Sequence, residues 1–315
     1  ISMSYHYGMI SGYDIIGDIH GQAEKLKALL HKMGYRKNSD GAHSHVSRQA
    51  VFVADFIDRN PQQAEVLAIV RGMVAAGTAL AAMGNHEFNA ICFATPSMKG
   101  GYIRPHTEKN IHQHQAFLDE FPHGSESYAD QIEWFKTLPV YLDLKGIFVV
   151  HACPCAESLD VVRPYLNPDK ALTKEALAAY DEEGSPFYKA IEVLLKGPEH
   201  QLPEQVSFYD KSGIQRKRAR ISWWTDPDVP TSQRLEYPKG YLNDEQIRYL
   251  DKSRFAREFN APAKPVFIGH YWMTGEPVPM SDKVCCVDYS AGTNGDLVAY
   301  RWSGESILTA RNFVR

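Results

Sequence analysis

Five short polar segments carry the side chains of this sequence that could do chemistry. They read GDIH, ADFIDR, GNHE, VVH and GHYW, and each follows an apolar run. Their mixture of oxygen and nitrogen donors suits manganese, iron, zinc or a similar divalent ion, and the lack of thiolates argues against a structural zinc site. The side chains concerned are Asp18, His20, Asp55, Asp58, Arg59, Asn85, His86, His151 and His270.

The number of candidate ligands predicts two metal ions. Six strand-terminal Asp, His and Asn side chains are too many for one tetrahedral ion and suit two ions that share a carboxylate. Two ions about 3.5–4 Å apart are the usual device for hydrolysing phosphoryl esters. One Asp-x-His alone would be weak evidence. Five such segments in order, each after an apolar strand, are a strong indication of this chemistry.

The elements that must position these side chains are predicted as strands followed by helices. Tyr13 to Ile16 and Ala50 to Ala54 are predicted strands, and a third lies in TALAAM before Gly84. Strands that alternate with helices of this length indicate βαβ units and largely parallel pairing, in which ligands lie outside the carboxyl ends of the strands. The first predicted helix has one apolar face, formed by Leu26, Leu29, Leu30 and Met33.

The whole chain, 1–315, is predicted to be one domain with two largely helical insertions, at about 95–145 and 156–215. Strand character returns before His151, in VYLDLKGIFVV. Three late strands are expected in KPVFIGHYW, KVCCVDYSA and DLVAYRW, the last as an antiparallel edge strand. A basic run from Lys211 to Arg220 is interpreted as a solvated face or the start of a strand.

Composition and charge exclude several classes of protein. The 315 residues are 44% hydrophobic and 23% charged, which is typical of a soluble globular protein. The net charge of -4 argues against a general nucleic-acid binder. No apolar run reaches the ~20 residues that span a bilayer, and no secretory signal is visible. We expect a cytoplasmic protein whose cysteines, including Cys153, Cys155, Cys285 and Cys286, are structural rather than metal or redox sites.

The five segments resemble the five sequence blocks of the calcineurin-like metallophosphoesterases. The stretch WWTDPDVP at 223–230 is similar to the Trp-Ser-Asp-Pro stretch of the phosphoprotein phosphatase branch, and VDYSAGTNGDLVAYRW at 287–302 to its closing strand pair. The chain is also similar to symmetrical dinucleoside tetraphosphatases. The resemblance extends from Asp14 to about Trp302, and it implies a four-layer αββα sandwich of two mixed sheets with helical insertions.

The resemblance also implies a role for each polar side chain. It implies that Asp18 and His20 hold the first metal and that Asp55 bridges both. The second metal would be completed by Asn85, His151 and His270.

For the remaining roles, His86 would pair with Asp58 and protonate the leaving oxygen, and Asn85 would also contact the substrate. Arg59 would grip the phosphoryl oxygens, since its planar fork matches two of them. The family uses a second arginine upstream of 223–230, for which we choose Arg220, with Arg218 and Arg216 as the alternatives.

Several positions depart from the family pattern. Ala54 and Asn60 stand where glycines normally flank the second block, so the backbone there is expected to approach phosphate differently. Tyr271 and Trp272 follow His270 where relatives often carry Thr-Pro or a further His. We expect these two aromatics to fill core, with stacking on a base or a phosphotyrosine ring as the alternative. Glu87 is expected to orient its loop rather than to bind metal.

The leading functional hypothesis is hydrolysis of phosphate monoesters by a metal-bridging hydroxide, in a protein phosphatase-like enzyme that uses two divalent ions. Manganese is favoured, with iron, zinc or magnesium as alternatives, and the expected partner is a phosphorylated protein or nucleotide rather than a membrane or nucleic acid. A dinucleoside polyphosphate hydrolase would use the same core. Nuclease activity is disfavoured by the acidic net charge. An inactive binding module is expected to have lost ligands, whereas all six positions are filled.

Overall fold

The fold is described from a computed structural model, which describes residues 10–209, 215–226, 228–236, 242–253, 259 and 262–315. Lys211 of the basic run therefore lies outside the described residues. The strands are β1 (Gly12–Ile16), β2 (Arg36–Lys37), β3 (His43–Ser44), β4 (Arg48–Phe52), β5 (Ala79–Ala81), β6 (Tyr141–Leu144), β7 (Ile147–Val150), β8 (Glu199–Gln201), β9 (Phe208–Tyr209), β10 (Gln215–Arg216), β11 (Arg218–Ile221), β12 (Leu235–Glu236), β13 (Val266–Ile268), β14 (Val284–Cys286), β15 (Ala299–Trp302) and β16 (Phe313–Val314).

Helices cover much of the remaining chain. The α-helices are α1 (Ala23–Lys32), α2 (Gln63–Ala75), α3 (Asn85–Ala94), α4 (Glu108–Glu120), α5 (Glu126–Phe135), α6 (Ala156–Val162), α7 (Lys174–Tyr180), α8 (Pro186–Lys196) and α9 (Asp244–Lys252). Helices α4 and α5 lie in the first predicted insertion and α6 to α8 in the second. Of the described helices, none has the length and apolar character needed to cross a membrane.

Two mixed sheets carry the candidate site. The first has the order β16-β15-β1-β4-β5, in which β1, β4 and β5 are parallel. The second has the order β14-β13-β7-β6, in which β14, β13 and β7 are parallel and β6 is antiparallel. The predicted parallel pairing is therefore confirmed for the strands that lead into the polar segments. Three small sheets, β2-β3, β9-β10 and β12-β11-β8, lie apart from these two.

The last long strand corrects one prediction. β15 is antiparallel to β1, as expected, but it is not an edge strand, because the two-residue strand β16 pairs with its other side. Two residues are too short to produce a periodic signal in the sequence. The sheet therefore has one more strand at this margin than the pattern predicts.

The two sheets pack face to face over a core of alternate strand residues. Ile15, Val51, Val149 and Phe267 belong to this inter-sheet core, while their neighbours Ile16, Phe52, Val150 and Ile268 belong to the larger core that includes the helices. Alternation follows from the two-residue period of a strand. Helices on the outer faces and two sheets inside give the four-layer α/β fold that the resemblance implies.

The same alternation answers the question raised by the adjacent cysteines. Cys285 lies in the inter-sheet core and Cys286 in the helix-side core, so their side chains point to opposite faces of β14. All five cysteines lie among the described residues, where they are buried and form no disulfide. Among the described residues, no cysteine belongs to a cluster that could hold a metal ion. That they serve a structural role stays a prediction.

Candidate active site

The candidate ligands follow strands of both sheets. Asp18 and His20 come after β1, Asp55 after β4 and Asn85 after β5, all in the first sheet. His151 follows β7 and His270 follows β13, both in the second sheet. All six side chains are buried. The carboxyl ends of the parallel strands thus bring residues that are distant in sequence into one polar cluster.

Asp55 lies at the centre of this cluster. Its Oδ2 atom is 3.2 Å from Nε2 of His151, 3.8 Å from Nε2 of His20 and 3.9 Å from Nε2 of His86. Asp55 belongs to two groups of possible metal-binding atoms. The first group also contains His20 and His86, and the second contains His151 and His270. Within each group, all the donor atoms lie within 4.8 Å of one another. A carboxylate shared by two donor groups is the arrangement that a pair of ions requires.

The amide of Asn85 joins the histidines of the second sheet. Its Oδ1 atom is 3.1 Å from Nε2 of His151 and 2.7 Å from Nδ1 of His270. Asp18 accepts a hydrogen bond of 3.0 Å from the backbone N–H of His270. Asp18 is thereby tied to the loop after β13, although it lies outside both groups of donor atoms within 4.8 Å.

Backbone carbonyls fix the orientation of two imidazoles. Nδ1 of His20 donates to the carbonyl of Ile57 at 2.8 Å, and Nδ1 of His151 to that of Val53 at 3.0 Å. A histidine that donates through Nδ1 presents the lone pair of Nε2, which is how metal-binding histidines are commonly held. Both Nε2 atoms face Asp55.

The residues present fit divalent metal ions. Oδ1 of Asp18 and Nε2 of His270 are buried with no hydrogen-bond partner, a costly state that a bound cation would relieve. Two glycines allow the carboxylates their close approach. A Cβ atom on Gly84 would lie 2.2 Å from Oδ1 of Asp55, and one on Gly269 would lie 2.1 Å from Oδ1 of Asp18.

Close packing of acids and bases perturbs their pKa values in opposite directions. Burial, reinforced by Asp288, raises the pKa of Asp18 well above its usual range. Burial next to His86 lowers the pKa of His20 to about 3. Burial alone would lower the pKa of His151, but the carboxylate of Asp55 outweighs it and raises that pKa to about 10. Such opposed shifts in one cluster are typical of functional sites.

A second hydrogen-bonded unit lies beside the cluster. Nδ1 of His86 is 2.5 Å from Oδ2 of Asp58, and Nδ1 of His114 is 2.7 Å from Oδ1 of the same carboxylate. The two histidines outweigh the effect of burial and hold the pKa of Asp58 well below its usual range. Burial would lower the pKa of His86, but Asp55 and Asp58 together raise it. The surroundings of His86 therefore favour its protonated form.

Glu87 organises the loop, as predicted. It is fully buried, and its two oxygens accept hydrogen bonds from the backbone N–H groups of Phe56 at 2.8 Å, Asp55 at 3.1 Å and Gly84 at 3.2 Å. Gly84 is the N-cap of α3, so Asn85 begins the helix, and its side chain is directed at the histidines.

The two positions that replace glycines shape the turn after β4 in different ways. Ala54 has a φ of 97°, in the region that favours glycine, and β4 ends two residues earlier than predicted. Asn60 instead uses its amide, which donates to the carbonyls of His20 at 3.0 Å and Gly292 at 2.9 Å. The turn after β4 is thus held by side-chain hydrogen bonds as well as by backbone geometry.

The two predicted arginines, Arg59 and Arg220, lie next to different aromatic side chains. The guanidinium of Arg59 stacks 3.8 Å above the ring of Trp272. Arg220 is half-buried, its Nε atom has no hydrogen-bond partner, and its guanidinium lies 5.5 Å from the ring of Tyr271. Its charge contributes to lowering the pKa of His270. The alternatives Arg216 and Arg218 are exposed, which leaves Arg220 as the arginine of the run that adjoins the site.

The two aromatics after His270 have different environments. Tyr271 is buried and packs edge-on against Trp224, as expected for a core residue. The core prediction is wrong for Trp272, which is half-buried because its ring supports Arg59 and lies 6.3 Å from the ring of His20. Its backbone N–H donates to the buried carboxylate of Asp288 at 2.7 Å, which fixes the loop.

A cleft of about 870 Å³ opens beside the cluster. Its walls combine Asp58, Arg59, Asn85 and His86 with residues of the first insertion, namely Arg104, His112, Gln113 and His114. Sequence reasoning missed the contributions of Arg104 and His114. The repeated His and Gln of HQHQ at 112–115 is the one signal that could have drawn attention to this segment.

Comparisons with known proteins agree with this geometry. The family model described as calcineurin-like phosphoesterase matches residues 13–270. Bis(5'-nucleosyl)-tetraphosphatase PrpE (asymmetrical) of Oceanobacillus iheyensis is 34% identical over 142 residues, which are 44% of this chain and 54% of that protein. The protein of the same name from Bacillus subtilis is 41% identical over 75 residues, 24% of this chain and 30% of that protein. This chain thus spans about half or less of the curated relatives it matches.

A solved structure shares the fold. It is a protein serine/threonine phosphatase from Saccharomyces cerevisiae, with similarity to human phosphatase PP5. It aligns with a TM-score of 0.50 at 16% identity, over 98% of this chain and 80% of that chain. At this level of identity the likeness concerns the fold alone.

Proposed function

This chain belongs to the calcineurin-like phosphoesterase family, and from that premise we propose that it hydrolyses phosphate monoesters with the help of two divalent metal ions. The observation that carries the proposal is Asp55, whose Oδ2 atom is within 3.9 Å of three imidazole Nε2 atoms. The proposed metal ligands are Asp18, His20, Asp55, Asn85, His151 and His270.

Manganese is the proposed metal, with iron, zinc and magnesium as alternatives, since the donors are carboxylate, amide and imidazole without thiolate. When bound, the ions would supply a hydroxide nucleophile at neutral pH and offset negative charge on the phosphoryl group. Five cysteines that form no disulfide among the described residues support a reducing compartment such as the cytoplasm.

His86 is the proposed general acid. The hydrogen bond to Asp58 orients its ring, and the carboxylates of Asp55 and Asp58 raise the pKa of His86 against the effect of burial, which favours the protonated imidazole. A protonated imidazole beside the reacting group can donate its proton to the leaving oxygen as the ester bond breaks. Asp58 is the positioning partner and does not itself transfer a proton.

Arg59 and Arg220 are the proposed phosphoryl-binding residues. A phosphate monoester dianion has three non-bridging oxygens that keep much of their charge in the transition state. Trp272 stacks against Arg59 and limits its freedom. Arg220 adjoins His270 and has an unsatisfied Nε–H, so it has donors to offer to an anion. Asn85 would contact the same oxygens.

A phosphorylated protein is the leading substrate class, following the branch-specific segments 223–230 and 287–302. A dinucleoside polyphosphate is the second candidate, and the sequence relatives named as tetraphosphatases favour it. Both substrates present a phosphoryl group that the same residues would hold.

Metal content tests the central assignment. Asp55→Asn should lose both ions and all turnover, because a neutral amide is a poor bridge between cations. Asp40→Asn makes the same chemical change on an exposed loop and should keep both. Elemental analysis together with turnover of p-nitrophenyl phosphate would decide. Two ions per chain and wild-type turnover in Asp55→Asn would refute the dimetal proposal.

A substrate panel tests the ester class. Arg220→Ala should depress turnover of p-nitrophenyl phosphate by ~10²–10³, the typical cost of removing one transition-state contact. Its effect on bis-p-nitrophenyl phosphate should be small, since a diester carries one negative charge fewer. Arg218→Ala, on the exposed part of the same strand, is the matched control. Wild-type diester turnover above monoester turnover would favour a nuclease instead.

A further inference from the structure

Arg104 is a half-buried cation on the wall of the active-site cleft. Among the described residues its guanidinium makes one hydrogen bond, from Nη2 to Oε1 of Gln113 at 2.8 Å, and no ion pair with a carboxylate. It shares the cleft with Arg59 and with His86. A partly buried guanidinium without an ion pair keeps N–H donors that can bind an anion. Burial lowers the pKa of Arg104, and the charge of Asp58 opposes this effect.

The carboxylates of the same cleft are already engaged. Glu120 caps α2, where its two oxygens accept from the backbone N–H groups of Gln63 at 2.7 Å and Ala64 at 2.9 Å. Asp119 accepts from the side chain of Gln115 at 2.6 Å. Asp58 is held between His86 and His114. The anion that would complement Arg104 is therefore expected to come from a ligand.

We propose that Arg104 binds a second phosphoryl group of the substrate, adjacent to the one that is hydrolysed, so that the site favours polyphosphate esters over simple phosphomonoesters. This inference rests on the proposed phosphoesterase function and reverses the order of its two substrate classes, so that a polyphosphate ester comes before a phosphorylated protein. A phosphorylated side chain of a protein has one phosphoryl group and gives Arg104 no partner.

The contacts of Arg104 suit a phosphoryl group. Gln113 occupies one of the guanidinium nitrogens and leaves the others to form paired hydrogen bonds with phosphate oxygens. Gln113 precedes His114, whose Nδ1 atom hydrogen-bonds to Asp58. Helix α4 therefore contacts both Arg104 and the partner of the proposed general acid. Asn89 also lines the cleft, one turn along α3 from Asn85, and adds amide donors. A volume of about 870 Å³ accommodates a nucleoside polyphosphate.

The first test is binding of inorganic tripolyphosphate to the manganese-loaded protein, measured by titration calorimetry. Arg104→Gln should weaken binding about tenfold, as expected for one charge-assisted contact. Arg104→Lys should recover part of this loss, because lysine restores the positive charge but not the paired N–H donors of the guanidinium. Lys109→Gln removes a charge from the exposed side of the same insertion and should bind as the wild type does. Equal affinities for Arg104→Gln and the wild type would overturn the inference.

Turnover supplies the second test. Arg104→Gln should lower kcat/KM for diadenosine tetraphosphate at least tenfold more than kcat/KM for p-nitrophenyl phosphate. An equal loss on both would overturn the inference, since it would mean that Arg104 supports the fold or the reacting phosphoryl group. A wild type that hydrolyses neither compound would refute the proposed function instead, and the calorimetric comparison would still decide the role of Arg104.

Discussion

His86 and Asp58 show how individual residues acquire their chemistry from their neighbours. An isolated buried imidazole would lose its proton, because burial lowers its pKa. Here Asp55 lies 3.9 Å from Nε2 and Asp58 lies 2.5 Å from Nδ1, and together they reverse the effect. The carboxylates around the proposed general acid thus favour its protonated form.

The proposed acid role of His86 predicts a dependence on the leaving group. His86→Asn should slow hydrolysis of alkyl phosphates far more than that of p-nitrophenyl phosphate, because only poor leaving groups need the proton in the transition state. General-acid catalysis contributes about 10²–10⁴ in rate, which sets the scale for the alkyl ester. Steady-state rates on both esters provide the measurement. Equal losses on the two would remove His86 from this role.

Asp58 predicts a pH dependence of stability in the metal-free protein. Its pKa is depressed in the folded state, since His114 and His86 outweigh burial. Its stabilising contribution is therefore complete above the unfolded-state pKa of about 3.9 and is lost as pH falls toward the lower folded-state pKa. Urea unfolding in EDTA should show that the stability difference between wild type and Asp58→Asn shrinks as pH falls below about 4. A constant difference would contradict the pKa direction.

Among the elements, the turn after β4 combines function with strain. Ala54, Asp55, Asp58 and Arg59 all have positive φ values, from 49° to 97°. Such conformations cost energy for residues other than glycine and are often found where side chains must converge. The sequence predicts the strand and the polar turn. It does not predict that the strand ends at Phe52, because that depends on the backbone conformation at Ala54.

Ala54→Gly should therefore stabilise the protein. Relief of the strained φ outweighs the larger unfolded-state entropy of glycine, for a net gain of roughly 1 kcal/mol in the free energy of unfolding. Ala50→Gly, in the regular part of β4, should instead destabilise, since glycine weakens a strand interior. Urea midpoints of both variants against the wild type test this. A loss of stability in Ala54→Gly would show that its backbone is not strained.

The helix α4 contributes the residue that sequence reasoning could not find. His114 lies 56 positions from Asp58, and the contact depends on how the first insertion folds over the strand ends. Its ring also stacks on Phe117 at 4.9 Å, in the aromatic cluster that anchors α4. No motif encodes such a contact. The five polar segments identify what the family shares, whereas the contacts of an insertion depend on its three-dimensional packing.

His114→Leu tests whether α4 helps to position the acid. It removes one donor to a buried carboxylate, so the free energy of unfolding should fall by about 1–3 kcal/mol. If the bond positions Asp58 and His86, kcat for an alkyl phosphate should fall more than kcat for p-nitrophenyl phosphate, with KM little changed. His114→Asn keeps an N–H donor near the position of Nδ1. It should therefore restore most of the stability and most of the kcat for the alkyl phosphate that His114→Leu loses. Loss of stability with equal kinetics on both esters would assign His114 a purely structural role.

For the whole molecule, the chain order of the five segments is enough to predict the fold and the composition of the candidate site. The carboxyl ends of parallel strands meet at one edge of a sheet, so the sequence pattern alone groups Asp18, Asp55 and Asn85. The same reasoning does not assign Trp272, which depends on the pairing of its loop with Asp288. Nor does it predict β16, which is too short to have a pattern.

Removal of the proposed metal ions is expected to weaken the packing of the two sheets against each other. The proposed ligands come from both: Asp55 and Asn85 follow strands of the first, and His151 and His270 follow strands of the second. An ion that binds only the folded state at a hundred times its Kd adds about 2.7 kcal/mol per site. Manganese should therefore raise, and EDTA lower, the midpoint of thermal unfolding of the wild type. Asp55→Asn should respond little to either, because both proposed sites share this carboxylate. Equal wild-type midpoints in manganese and in EDTA would mean that these side chains hold no metal, and the mixed donor cluster would then need another explanation.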